Sequence, residues 1–286
     1  MKLMALVEQA AQRLQDAGVA FGQGTTNPFD EAAWLVLWQL GLPLDALDAE
    51  AARDVTPAEA DAVAALVQQR IDTRKPAAYL TGEAWLQGVP FFVDERVIVP
   101  RSLIAEPLAD GALDAWLSER TRRVLDLCTG NGGLAVLAAL AWPEVSVLAT
   151  DLSADALAVA RRNVERHGLG ERITLAQGNG FAAAPGVFDL ILCNPPYVNA
   201  GSMARLPAEF RAEPALALQG GSDGMDFIRP LIRQARQHLS DHGVLVLEIG
   251  HERDHFHRAF PRLPAVGLPT SLGDDAVLLI QAEDLP

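Results

Sequence analysis

From Arg122 to Ile280 short apolar runs alternate with segments of helical period, and this alternation restricts the fold more than any other feature of the chain. Short apolar runs bounded by turn residues are buried strands, and apolar residues three and four apart mark helices. Val124 to Leu127, Val145 to Thr150, Ile173 to Ala176, Phe188 to Cys193, Val244 to Ile249 and Ala276 to Ile280 read as strands. Gly132 to Ala141, Ala154 to His167 and Asp226 to Leu239 read as helices. The expected fold class is therefore α/β: an open, mostly parallel sheet with helices on both faces and ligands at the carboxyl ends of its strands.

The strand at Phe188 to Cys193 stops at Asn194-Pro195-Pro196-Tyr197. Each proline fixes its own φ and offers no N–H, and Pro196 keeps the residue before it out of helical space, so the corner is stiff and extended. Asn194 then stands at a strand's carboxyl end. Its side-chain oxygen and the Pro195 carbonyl can accept the two hydrogens of a planar NH₂ group, with the Tyr197 ring covering the flat group.

The glycine-rich turn Asp126-Leu127-Cys128-Thr129-Gly130-Asn131-Gly132 joins the first strand to its helix. Glycines there allow a tight turn and close approach to a ligand, and the helix start favours an anion. Gly130, Gly132 and Ala135 also satisfy a dinucleotide fingerprint, so the turn alone does not choose between nucleoside cofactors. Asp151, ending the second strand, is placed for ribose hydroxyls in either case. A dehydrogenase commonly needs a proton relay beside the nicotinamide. The acceptor pair at Asn194 instead points to S-adenosylmethionine, leaving as S-adenosylhomocysteine, and to methyl transfer onto a planar nitrogen.

Ahead of this half, residues 1 to about 75 read as a helical bundle. Leu3, Leu6, Val7, Ala10, Ala11 and Leu14 keep helical period, Asn27-Pro28 starts a second helix, and Thr56-Pro57-Ala58-Glu59 is a capping box with proline at the first helical position. Ala78 to Val99 reads as a β-hairpin linker, and Ser102 to Trp116 as a resumed helix. The expected division is 1–77 for the helical domain, 78–100 for the linker and 101–286 for the catalytic domain. Glu209, Arg211 and Glu213 are expected in a loop that closes over a substrate.

The chain has 286 residues, half of them hydrophobic, and a net charge of −14. That charge argues against attraction to a nucleic-acid backbone and favours a basic protein partner. No apolar run reaches the roughly 18 residues of a membrane span, and Met1 to Gly18 is broken by Glu8, Gln9, Gln12 and Arg13, unlike a signal peptide. Cys128 and Cys193 have no metal spacing or disulfide framework, which fits a reducing, cytoplasmic setting. His251, His255 and His257 lack a cysteine or acid cluster, so no metal site is expected.

Further stretches carry a resemblance. Gly24-Thr25-Thr26-Asn27-Pro28-Phe29-Asp30-Glu31-Ala32, Tyr79-Leu80-Thr81, Val93-Asp94-Glu95-Arg96-Val97, Val99-Pro100-Arg101-Ser102 and Glu213-Pro214 with Gly221, Asp223 and Gly224 resemble the PrmB-type branch of the HemK/PrmC-like glutamine side-chain-amide methyltransferases. The release-factor branch would carry Pro-Asp-Thr-Glu after Pro-Arg, which is absent here. The resemblance implies a Rossmann-like class I methyltransferase sheet and, as target, a glutamine in large ribosomal subunit protein three. It implies that Asp126, Cys128, Thr129, Gly130, Asn131, Gly132 and Asp151 hold the cofactor together with Asn194, that Asn179, Gly180 and Phe181 line its adenine, and that Asn194, Pro195, Pro196 and Tyr197 hold the substrate amide, with Asn194, Pro195 and Tyr197 as the catalytic residues. The chain departs from the pattern at Asn179, usually Asp, at Gly180, often large and apolar, and at Leu103, usually Pro; weaker or altered cofactor binding is the expectation. Three rival readings stand beside it: a release-factor glutamine methyltransferase, an adenine amino-group methyltransferase acting on nucleic acid, which would need a basic surface, and a cofactor-binding assembly protein without turnover.

Overall fold

A computed structural model describes residues 1–286. The chain forms two compact units, Met1–Ala84 with Leu206–Glu213, and Trp85–Arg205 with Pro214–Pro286. The first is helical: α1 (Leu3–Asp16), α2 (Pro28–Gln39), the single turn α3 (Leu47–Glu50), α4 (Pro57–Thr73) and α5 (Ala77–Thr81). Their starts follow local chemistry. The Asn27 side chain accepts from Asp30 N ahead of Pro28, and Thr56 and Glu59 form the expected reciprocal capping box. The helices α1, α2 and α4 pack on one another.

The second unit begins within a hairpin, β1 (Glu83–Leu86) and β2 (Val89–Phe92), followed by α6 (Ala105–Ala109). Alternation then sets in: β3 (Arg123–Leu127), α7 (Gly133–Ala141), β4 (Ser146–Asp151), α8 (Ala154–Arg166), β5 (Ile173–Gln177) and β6 (Phe188–Cys193). After the short helices α9 (Ala200–Met203) and α10 (Ala208–Arg211) come α11 (Ile228–Ala235), β7 (Leu239–Glu248), α12 (Arg253–Ala259), β8 (Val266–Gly267) and β9 (Val277–Gln281). The seven-stranded sheet has the order β5-β4-β3-β6-β7-β9-β8. β5 to β7 are parallel in it and β9 is antiparallel to both its neighbours.

Strand alternation builds a core on each face. Val124, Leu190, Leu192, Val244 and Val246 face α6, α7 and α8, while Leu125, Leu127, Ile191, Leu245 and Leu247 face α11 and α12. The chain order reverses between β3 and β6, which opens a crevice at their carboxyl ends.

Four expectations are corrected. Residues 78–81 are helical, and in Val97–Val99 the two valines are buried and Ile98 half-buried without any residue pairing as a strand. The helix expected over Ser102 to Trp116 is two pieces, because Gly111 takes φ 79° between α6 and a 3₁₀ turn at Ala112–Trp116. The helix expected to reach Leu239 ends at Ala235 with a 3₁₀ turn after it, and β7 starts at Leu239. The loop at 206–213 belongs to the helical unit: Glu209 is 2% exposed and accepts from Ala20 N at 3.1 Å and Arg74 Nη1 at 3.2 Å, with Arg70 Nη1 at 3.7 Å. A carboxylate taken up in this way is not free to close over a substrate.

Candidate active site

At the carboxyl ends of β3, β4, β5 and β6 lies a cavity. From the β3 turn it is lined by Asp126, Cys128, Thr129, Gly130 and Asn131; from the end of β4 by Asp151 and Leu152; from the end of β5 by Asn179 and Gly180; and from β6 by Asn194 and Pro196. Thus ten of the residues singled out in the sequence meet in one place. The other four do not line it. Gly132 (φ 82°) caps α7, and a Cβ there would meet Ala160 Cβ at 3.2 Å, so its role is backbone conformation and helix approach. Pro195 is buried beneath the corner. Phe181, expected at an adenine, is turned into the core by the 3₁₀ turn Gly180–Ala183 and stacks on His238, with ring centroids 4.2 Å apart. Tyr197 has its hydroxyl bound to Glu248, 2.9 Å away.

The β3 turn is held from two sides. Asp126 Oδ2 accepts from Thr129 Oγ1 at 2.5 Å and Ala135 N at 3.1 Å; Asp151 accepts from Gly130 N and Ser153 N, both at 2.9 Å. Cys128 takes φ 61°, a left-handed conformation uncommon for a side-chain-bearing residue. Two buried polar atoms here have no partner: Asp126 Oδ1 and Asn131 Nδ2. Burial pushes the Asp126 carboxyl up to about 7, and it raises Asp151 as well against three backbone N–H groups that lower it. An acceptor and a donor left unsatisfied in a native cavity are groups that a ligand can satisfy.

On the opposite side, the Asn194 amide makes no hydrogen bond within the chain, and no group donates to Pro195 O. Four residues were not assigned to the site from the sequence. Pro100 and Arg101, which carried part of the resemblance but no site role, line the cavity, Phe227 lines it from just before α11, and Glu248 lies behind the corner. The single acid within the apolar run Val244 to Ile249 was the available signal for the last.

A protein of Burkholderia pseudomallei (strain K96243) described as ribosomal protein uL3 glutamine methyltransferase is 54% identical over 291 residues, 98% of this chain and 94% of its own length. The protein of the same description from Bordetella pertussis (strain Tohama I / ATCC BAA-589 / NCTC 13251) is 54% identical over 98% of this chain and 95% of its own. This chain belongs to the ribosomal protein uL3 glutamine methyltransferase family. Within that family it is a methyltransferase: the Methyltransferase small domain model matches residues 111–257, and the PrmC N-terminal domain model matches residues 5–82. A solved structure of the hMettl16 catalytic domain in complex with MAT2A 3′UTR hairpin 6 aligns with TM-score 0.53 at 15% identity over 79% of this chain and 81% of that one, which establishes the class I methyltransferase fold alone. In this uL3 glutamine methyltransferase relative the crevice between β3 and β6 is the candidate active site.

Proposed function

We propose that the chain transfers a methyl group from S-adenosylmethionine to the side-chain amide nitrogen of a glutamine in ribosomal protein uL3, in the cytoplasm, the C–S bond breaking to leave S-adenosylhomocysteine and the amide giving up one proton to solvent as the N–C bond forms. The observation that carries the reading is the unengaged Asn194 amide on the cavity wall, facing a β3 turn that retains an unpartnered acceptor and an unpartnered donor. The relatives' names supply the target.

The residues present fit such a cofactor. Asp126 Oδ1 suits its ammonium group, Asn131 Nδ2 suits its carboxylate, and Asp151 at the end of β4 suits its ribose hydroxyls. The cofactor supplies an electrophilic methyl group on a sulfonium. The chain's own contribution is to position the acceptor. An amide nitrogen is a weak nucleophile because its lone pair is delocalised into the carbonyl. Asn194 Oδ1 and Pro195 O, accepting one N–H each, draw electron density onto that nitrogen and hold its plane still, so catalysis rests on orientation and electrostatics. The two prolines stiffen the backbone between the two acceptors by fixing its φ angles.

Asn194→Ala removes one acceptor without altering the β3 turn. Its kcat on uL3 is expected to fall about 10²-fold, the loss typical of deleting one preorganised polar contact, while S-adenosylhomocysteine affinity stays within about twofold. Wild-type turnover by this variant at saturating cofactor would refute the assignment.

A further inference from the structure

We propose that Glu248 is a positioning residue for the methyl transfer, fixing the Asn194-Pro195 corner and the Pro100-Arg101 wall of the cavity to one another through Tyr197 and Ser102. The proposal rests on the functional reading above and extends it to a group that touches neither substrate nor cofactor.

Glu248 ends β7, the strand beside β6, and Leu247 is in register with Cys193, which places Glu248 next to Asn194 in the sheet. Its side chain is 3% exposed and both its oxygens are used. Oε1 accepts from Tyr197 Oη at 2.9 Å, and Oε2 accepts from Ser102 Oγ at 2.6 Å and from Leu103 N at 2.9 Å. All three donors are neutral. A buried carboxyl group is costly unless its hydrogen bonds are made, and here three donors from two segments satisfy it and are thereby tied to it. Burial raises the Glu248 carboxyl and these same donors pull it back down.

Tyr197 is confined on its remaining sides. A Cβ at Gly250 would lie 2.6 Å from its ring, and one at Gly220 would lie 2.7 Å from its Cα. Glycine at both positions lets backbone pack directly on the tyrosine, so ring, backbone and hydroxyl are all held. Between Tyr197 and Asn194 stand only Pro195 and Pro196, whose φ angles do not swing. A constraint applied at the phenol is therefore carried to the Asn194 amide with little slack. At the other end of the carboxylate, Ser102 and Leu103 follow Pro100 and Arg101, and Pro100, Arg101 and Ser102 line the cavity. One acid thus joins two walls that are far apart in sequence. This also gives Tyr197 a role other than covering the amide, because its hydroxyl is committed behind the corner.

The test uses the full chain with Glu248→Gln, Tyr197→Phe and the two combined, assayed on purified uL3 at saturating S-adenosylmethionine, with calorimetry of S-adenosylhomocysteine alongside. Each single variant is expected to lose about tenfold or more in kcat, as small misplacements of reacting groups do, with cofactor-product affinity within about twofold. The combined variant is expected to be no slower than the slower single one, because the two groups form one linkage. Losses that multiply, an unchanged kcat in Glu248→Gln, or affinity falling in step with kcat would each overturn the proposal. Should Glu248→Gln not fold, Tyr197→Phe removes a single hydroxyl and decides alone, full kcat being the overturning result. A wild-type enzyme that moves no methyl to uL3 would instead refute the functional reading. In that case ¹³C at the tyrosine Cζ settles the linkage: the chain has two tyrosines, and Glu248→Gln is expected to shift the Tyr197 signal and leave that of Tyr79 in place. Two unmoved signals would overturn it.

Discussion

Asp126 carries a carboxyl held near pH 7 by burial, with Thr129 and Ala135 opposing that rise and the charge of Asp151 adding to it. In the unfolded chain it titrates near 3.8. Below that pH the group is neutral in both states and its favourable contribution to folding is complete. As pH rises toward 7 the unfolded chain ionises first, and the contribution is lost by the time the folded carboxyl ionises. Binding an ammonium group has the opposite sign, because it requires the charged acid. The affinity for S-adenosylhomocysteine is therefore expected to weaken as pH falls below about 7, approaching tenfold per unit. Asp126→Asn should bind weakly and without that slope. Calorimetry from about pH 8 to about pH 6 reads both, and a flat profile in the wild-type chain would show that Asp126 does not meet the ligand's charge.

Elements whose sequence was dominated by apolar runs or by a cap were legible: β3 to β6 fall within a residue of their expected limits, and the starts of α2 and α4 follow their caps. What was not legible depends on partners distant in sequence. Glu248 reaches Ser102 across 146 positions, and no local pattern encodes such a link. Val97–Val99 has the composition of a strand but buries its two valines as loop, since burial and strand pairing are separate demands. The turn after β5 shows the same effect at the site. The resemblance implied Phe181 beside the adenine, yet the 3₁₀ turn sends Phe181 inward, and Phe227 at the head of α11 comes within 4.0 Å of where a Cβ on Gly180 would lie. The space left by the missing side chain at 180 is thus bordered by an aromatic from another element. Phe227→Ala is expected to weaken S-adenosylhomocysteine about tenfold, the range for losing one aromatic contact, with kcat at saturating cofactor nearly unchanged. Equal binding constants for the two proteins would remove Phe227 from the cofactor's surroundings.

Taken over the whole molecule, 37 acidic against 23 basic residues leave a net charge of −14. A ribosomal protein destined for RNA is basic, so on the proposed function free uL3 is expected to be attracted to this acidic chain at long range, whereas an assembled subunit presents phosphate of the chain's own sign. Such attraction acts on encounter more than on the bound geometry, and salt screens it: the Debye length falls from about 30 Å at 0.01 M to about 8 Å at 0.15 M. For free uL3, kcat/KM is accordingly expected to drop as ionic strength rises through that range, with kcat and the affinity for S-adenosylhomocysteine almost constant. Assembled large subunits offered beside free uL3 should be methylated more slowly, and least of all at low salt, where the repulsion is unscreened. Steady-state assays on both substrates at several ionic strengths measure this directly. A salt-independent kcat/KM for the free protein, or faster methylation of the subunits, would mean that the acidic surface serves solubility and does not select the substrate's assembly state.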